Sequence, residues 1–94
     1  MYKFLITIKL KPNTLEKILA KAPAVQALTR AEPGCIHYDF FTCTDDPNKL
    51  VFIECFESKE DHDWHCEQAY TKEFITFHEQ FHESLSFEQV NISE

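Results

Sequence analysis

The chain has 94 residues, including nine Phe, three Tyr and one Trp, and carries a net charge of −7 from 16 acidic against nine basic side chains. That length allows one domain, residues 1–94, with a core small enough to gain from a partner subunit, and the scattered basic residues exclude a phosphate-binding face for nucleic acid. No apolar run is long enough to span a membrane and no basic, apolar leader precedes the first strand, so a cytoplasmic location is expected.

Tyr2, Phe4, Ile6, Ile8 and Leu10 alternate with Lys3, Thr7 and Lys9, the period-two signature of a strand with one buried face. Asn13 with Glu16 three residues on reads as a capping box. It opens a helix in which Leu15, Ile18, Leu19, Ala22 and Val25 recur at helical spacing, with Pro23 as an interior kink. Pro33 disfavours helix at Glu32 and Gly34 permits a turn, so a second strand starts there, from about Cys35 to Cys43. The Asp45-Asp46-Pro47-Asn48 cluster reads as the turn of a hairpin. The third strand, from about Lys49 to Glu57, carries Leu50, Phe52, Glu54 and Phe56 on one face and Val51, Ile53 and Cys55 on the other. Ser58 with Asp61 opens a second helical region through Trp64, broken near Ala69-Tyr70 and continuing through Phe74, Phe77 and Phe81. Ser86 to Ile92 is the last strand.

This order describes an α+β ferredoxin-like unit, βαββαβ, with a four-stranded antiparallel sheet and helices on one face. Both faces of the third strand are apolar, so both are covered, and a second copy of the chain is the simplest cover for the face without helices. A homodimer is therefore expected.

Glu54 lies among apolar neighbours on its strand. A carboxylate there must be neutralised, paired or held for function, so it either orients a substrate or a histidine, or belongs to an ordinary buried pair. His65 is either a proton acceptor or a solvated helix residue. Tyr38 shares a face with Ile36 and Phe40 and, with Phe52 and Trp64, lines either a cavity or the core. His78-Glu79-Gln80-Phe81-His82 matches the zinc-protease pattern His-Glu-x-x-His, but the same spacing puts Phe74, His78 and His82 on one helical stripe packing against a sheet. No metal site is expected there; His78 is read as lining a pocket. His62, His65 and Cys66 form a second, weaker metal pattern with no fourth ligand nearby. Cys35, Cys43, Cys55 and Cys66 contain no Cys-x-x-Cys and are expected as reduced thiols.

Glu32-Pro33-Gly34-Cys35-Ile36-His37-Tyr38-Asp39, followed by Asp45-Asp46-Pro47-Asn48 and Glu54-Cys55-Phe56-Glu57, resembles the antibiotic biosynthesis monooxygenase family. The resemblance implies a homodimeric α+β barrel with a ligand cavity between each sheet and its helices. It implies oxidation of a quinol or hydroxylated aromatic by oxygen without flavin, heme or metal, hence no cofactor. The chain itself carries neither Gly-x-Gly-x-x-Gly nor a phosphate loop. In the family's pattern of a His, a second His five residues on, an aromatic and a later Phe, His65 matches the first His and Phe74 the Phe. Tyr70 stands at the second His and Thr71 at the aromatic, so Tyr70 is read as a hydrogen-bonding anchor for substrate. The resemblance thus offers His65, Glu54 and Tyr70 as catalytic candidates and Tyr38, Phe52, Trp64, Phe74 and His78 as the pocket. Alternatives on the same scaffold are an isomerase of the autoinducer-processing type and a non-catalytic small-ligand-binding dimer. A heme-degrading oxygenase fits less well, because His65 and Ile75 fall where those enzymes carry a Trp and the iron-binding His.

Overall fold

In the computed structural model, which describes residues 1–90, the elements run β1 (Tyr2–Leu10), α1 (Leu15–Arg30), β2 (Cys35–Cys43), β3 (Asp46–Phe56), α2 (Lys59–Glu67), α3 (Ala69–Glu79) and β4 (His82–Gln89). The strands form one antiparallel sheet in the order β2-β3-β1-β4, the ferredoxin-like arrangement that the chain order predicts. Directly opposed residues of antiparallel strands share a face, and the register sets Phe4 opposite Glu54, Ile6 opposite Phe52 and Ile8 opposite Leu50. On β2, Tyr38 and Phe40 join the same face beside Glu54 and Phe52. The helices cover it: Ile18, Ala22 and Val25 of α1 and Phe74 of α3 pack with Ile8, Leu50 and Phe52 into one core. Each large side chain buried there contributes roughly 1.5–3 kcal/mol. The opposite face leaves Leu5, Val51 and Ile53 half-buried and Ile36 and Phe41 exposed.

Local chemistry departs from strict alternation and spacing at several points. Asn13 is not the cap of α1; it holds φ at 64°, a left-handed turn that Asn tolerates better than most residues, and Thr14 takes the N-cap position. At α2 the cap is as expected, with Ser58 Oγ accepting the Asp61 N–H at 3.2 Å. The hairpin turn is only Thr44-Asp45, because Asp46 pairs with Cys43 and accepts the Asn48 N–H at 2.9 Å, so β3 starts before Lys49. A bulge at Ile36 moves that residue off the face of Tyr38 and Phe40. β4 begins at His82 rather than Ser86, since α3 ends at Glu79 and the Phe81 carbonyl is tied to the Lys11 N–H at 2.8 Å. Ile92, expected in this strand, lies outside the described residues.

Gly34 fixes how α2 meets the α1–β2 turn. A side chain there would place its Cβ 2.3 Å from Asp61 Cγ, so only glycine lets the first turn of α2 approach so closely. That approach sets Glu32, just past the end of α1, against His65 of α2.

Candidate active site

A cavity of about 270 Å³ lies between the sheet and helices α2 and α3. Its walls are mostly apolar, with Phe4, Ile6, Phe52 and Phe74 deep and Leu85 and Phe87 of β4 at the outer edge. Phe52 and Phe74 sit 6.2 Å apart, and Phe4 stacks on Phe87 at 4.8 Å. Polar side chains collect at two ends, the arrangement that orients a small ligand in an otherwise apolar pocket.

Glu54, His65 and Thr71 form the first end. His65 is only 2% exposed. Its Nδ1 lies 2.8 Å from Glu32 Oε2, and the Tyr70 hydroxyl donates to the same oxygen. A carboxylate can only accept, so Nδ1 carries the hydrogen and, in the neutral ring, Nε2 carries the lone pair. Nε2 is 3.8 Å from Glu54 Oε1, too far for a hydrogen bond but within one bound atom's reach. Burial, reinforced by the negative charge of Glu32, pushes the Glu54 carboxyl up to about 8. The Tyr38 ring lies against His65 at 5.3 Å, and burial followed by the Glu54 charge drives its phenol above the usual range. Glu32 Oε1 is sealed from solvent without a hydrogen bond among the described residues.

His78, Glu79 and His82 form the second end. His78 Nδ1 and His82 Nε2 are 2.8 Å apart, and burial followed by His82 pushes His78 down to about 4. The two residues do not share a helix, because α3 ends at Glu79, so His-Glu-x-x-His is not the two-ligand helical face that a zinc protease uses. No group of three His, Cys, Asp or Glu side chains able to hold a metal ion occurs among the described residues.

Six sequence candidates line this cavity: Glu54, His65, Tyr38, Phe52, Phe74 and His78. Trp64 does not; it is 49% exposed and borders a separate hollow with Pro33, Gly34 and Asp61, because one helical step from an inward His65 turns it outward. Tyr70 is placed differently too. It borders the groove between α1 and α3, and its hydroxyl is engaged by Glu32 rather than aimed at a ligand. Sequence reasoning missed Glu32, reading it only as the residue before Pro33. Its signal was an acidic side chain in an otherwise apolar and small turn, two residues before the glycine that α2 crosses.

Residues 1–82 match the family described as antibiotic biosynthesis monooxygenase. The chain belongs to this family. Among its relatives, protein sll1783 of Synechocystis sp. is 32% identical over 68 residues, 72% of this chain and 46% of that protein, so the match spans less than half of the relative's length. YcnE of Bacillus subtilis (strain 168) is 31% identical over 68 residues, covering 72% of each chain. Of solved structures, a Nitrosomonas europaea protein provisionally named for the family superposes over the full length of both chains with a TM-score of 0.93 and 19% identity. PA3566 from Pseudomonas aeruginosa gives 0.89 at 22% identity over 99% of this chain and 94% of its own. These structural likenesses establish the shared fold.

Proposed function

We propose that the chain is a cofactor-independent monooxygenase acting on a quinol or other hydroxylated aromatic small molecule. The observation that carries this reading is the imidazole of His65 in the wall of a mostly apolar, aromatic cavity, held by Glu32 at Nδ1 and with no hydrogen bond at Nε2 among the described residues. An ionised phenol or quinol is itself the reductant toward oxygen, so the protein has to bind it, remove its proton and exclude water. In this reading Nε2 of His65 takes the hydroxyl proton. Glu32 fixes the tautomer and stabilises the imidazolium, and Tyr70 holds Glu32 in place. Glu54, kept protonated by its surroundings over much of the neutral range, donates a hydrogen bond to the developing anion without adding a second negative charge. The provisional monooxygenase name of YcnE is consistent with this.

A cavity of about 270 Å³ lies at the small end of ligand sites, matching a one- or two-ring molecule. Oxygen uptake and product formation over a panel of quinols and phenols test the reading. Turnover that disappears in His65→Ala is the expected result, and absence of oxygen uptake with every substrate overturns it. One observation also suits an isomerase: Glu54 and His65 form an acid and a base side by side, the pair a 1,2-proton shift needs. Substrate conversion without oxygen uptake selects that alternative, and binding without conversion selects a plain ligand-binding protein.

The homodimer belongs to the same proposal. The helix-free face, with Leu5, Val51, Ile53 and Phe41, is the apolar surface a second sheet would cover. Light scattering at micromolar concentration checks it, and a cooperative monomer overturns it.

A further inference from the structure

His78 and His82 have no part in the proton removal just described, yet both rings line the cavity. Their placement depends on two local features. On α3, Thr71, Phe74 and His78 are the buried positions, so His78 projects inward about two turns, ~10 Å along the axis, beyond the residue next to His65. In the sheet, the register slips between Lys9 and Leu10, so His82 rather than Glu83 comes opposite Leu10 on the helix-bearing face. The result is an imidazole chain graded from inside to outside. His78 is 5% exposed and packed between Phe52 and Phe74 at 5.6 and 5.0 Å, and His82 at the cavity rim is only half-buried.

We propose that His78 and His82 form a proton relay that takes the proton of a ligand hydroxyl at the α3–β4 end of the cavity and releases it to solvent. The proposal rests on the reading that the cavity takes a hydroxylated aromatic. Because Nδ1 of His78 is engaged by His82, Nε2 is the nitrogen left for a ligand. The ligand O–H bond breaks as Nε2–H forms on His78; the Nδ1–H of His78 passes to Nε2 of His82, and the Nδ1–H of His82 passes to water. Each ring gains one proton and loses one, so both stay neutral and exchange tautomers, and the ligand remains as an anion hydrogen-bonded by the new Nε2–H. Such a transfer suits an apolar wall, since no buried imidazolium has to form. Glu79 is the acidic neighbour that acts on His82. After the ligand anion leaves, exchange with water restores the starting tautomers: Nδ1 of His82 takes a proton from solvent, the Nε2–H of His82 returns to Nδ1 of His78, and the Nε2–H of His78 passes to water entering the emptied cavity.

The test uses 4-nitrophenol, whose absorbance reports its own ionisation, bound to the full chain carrying His65→Gln, which leaves the α3–β4 end to take its one proton, and followed by stopped flow with a pH indicator after a jump in pH. His82→Gln keeps a hydrogen-bonding partner for His78 but cannot pass a proton between two ring nitrogens. The expected result is proton release slowed by ~10²-fold with affinity for the probe within about twofold, and recovery on adding free imidazole. Unchanged release in a folded His82→Gln overturns the relay while leaving the cavity's ligand class standing. Failure of 4-nitrophenol to bind at all overturns both. Nitrogen-15 NMR of the histidine-labelled His65→Gln chain gives a reading that leaves His82 in place: ionisation of the bound probe must move the proton of His78 and of His82 to the other ring nitrogen, and unchanged tautomers overturn the relay.

Discussion

The two ends of the cavity use the same side chain in opposite electrostatic settings. His65 faces a carboxylate that fixes which nitrogen holds its hydrogen; His78 is buried against a second imidazole, and burial followed by that neighbour disfavours its charged form. Fold position decides the difference. The first end is assembled where α1, α2 and β3 converge and Gly34 allows close approach, the second where α3 stops and β4 begins. A histidine's chemistry here follows from its partner: His82 is already a sequence neighbour of His78, whereas Glu32 is brought to His65 only by the fold.

The sharpest way to break this contrast is His65→Ala. On the sequence alone, loss of activity without loss of stability is the expectation, but the ring is buried and bonded to Glu32, so both should fall. Turnover of the best substrate should drop by ~10²-fold or more, and stability by ~3 kcal/mol, because an unpaired carboxylate is left inside. Steady-state kinetics and urea denaturation measure the two. His65→Gln, which can still donate to Glu32, should recover part of the stability and none of the turnover. Full turnover in either variant would shift proton removal to Glu54 or His78.

The two ends should also tilt stability against pH in opposite directions. The folded-state pKa of Glu54 is raised from 4.5 to about 8, so the folded chain keeps a proton that the unfolded chain releases, and stability is lost as pH rises through that window. At roughly 1.4 kcal/mol per unit, the loss is on the order of a few kcal/mol. His78 is lowered from 6.5 to about 4, so its contribution is lost as pH falls through that range. Denaturation curves from pH 4 to pH 9 should show Glu54→Gln gaining on wild type above neutrality and converging with it near pH 5, and His78→Gln flattening the acid limb alone. A Glu54→Gln curve parallel to wild type would show that Glu54 is not held protonated.

A smaller effect refines the carboxylate end. Tyr70→Phe removes the hydroxyl that shares Glu32 Oε2 with His65. Had Tyr70 touched substrate, KM would rise. Because it acts on Glu32, the expected result is a several-fold lower kcat with KM unchanged and about 1 kcal/mol lower stability. A raised KM with unchanged kcat would return Tyr70 to the ligand.

Much of the fold was legible because its signals are local. Alternation in Tyr2–Leu10, the Ser58–Asp61 cap and the Pro33-Gly34 break each act within a few residues, and each marks its element in the structure. The register shifts at Ile36 and His82 were not legible, since a bulge is set by the partner strand and by the tie between Phe81 and Lys11. Glu54 stood out as a carboxylate in an apolar strand. Glu32 did not, because its burial depends on α2 crossing over Gly34, a contact between segments about thirty residues apart.

The smallest effect comes from the residue next to the most important one. Trp64 precedes His65 on α2, and one helical step of about 100° separates an imidazole that is 2% exposed from an indole that is 49% exposed. Trp64→Phe should therefore change stability by less than about 0.5 kcal/mol and leave kcat and KM within about twofold of wild type, the range of surface substitutions away from caps and cores. The measurement also has a spectroscopic side: Trp64 is the chain's one tryptophan, so its emission should be that of a solvent-exposed indole and should not shift when 4-nitrophenol fills the cavity. A blue-shifted emission, or a Trp64→Phe variant that loses activity, would mean that α2 is rotated from the position described, and with it the pairing of His65 and Glu32 on which the contrast between the two ends depends.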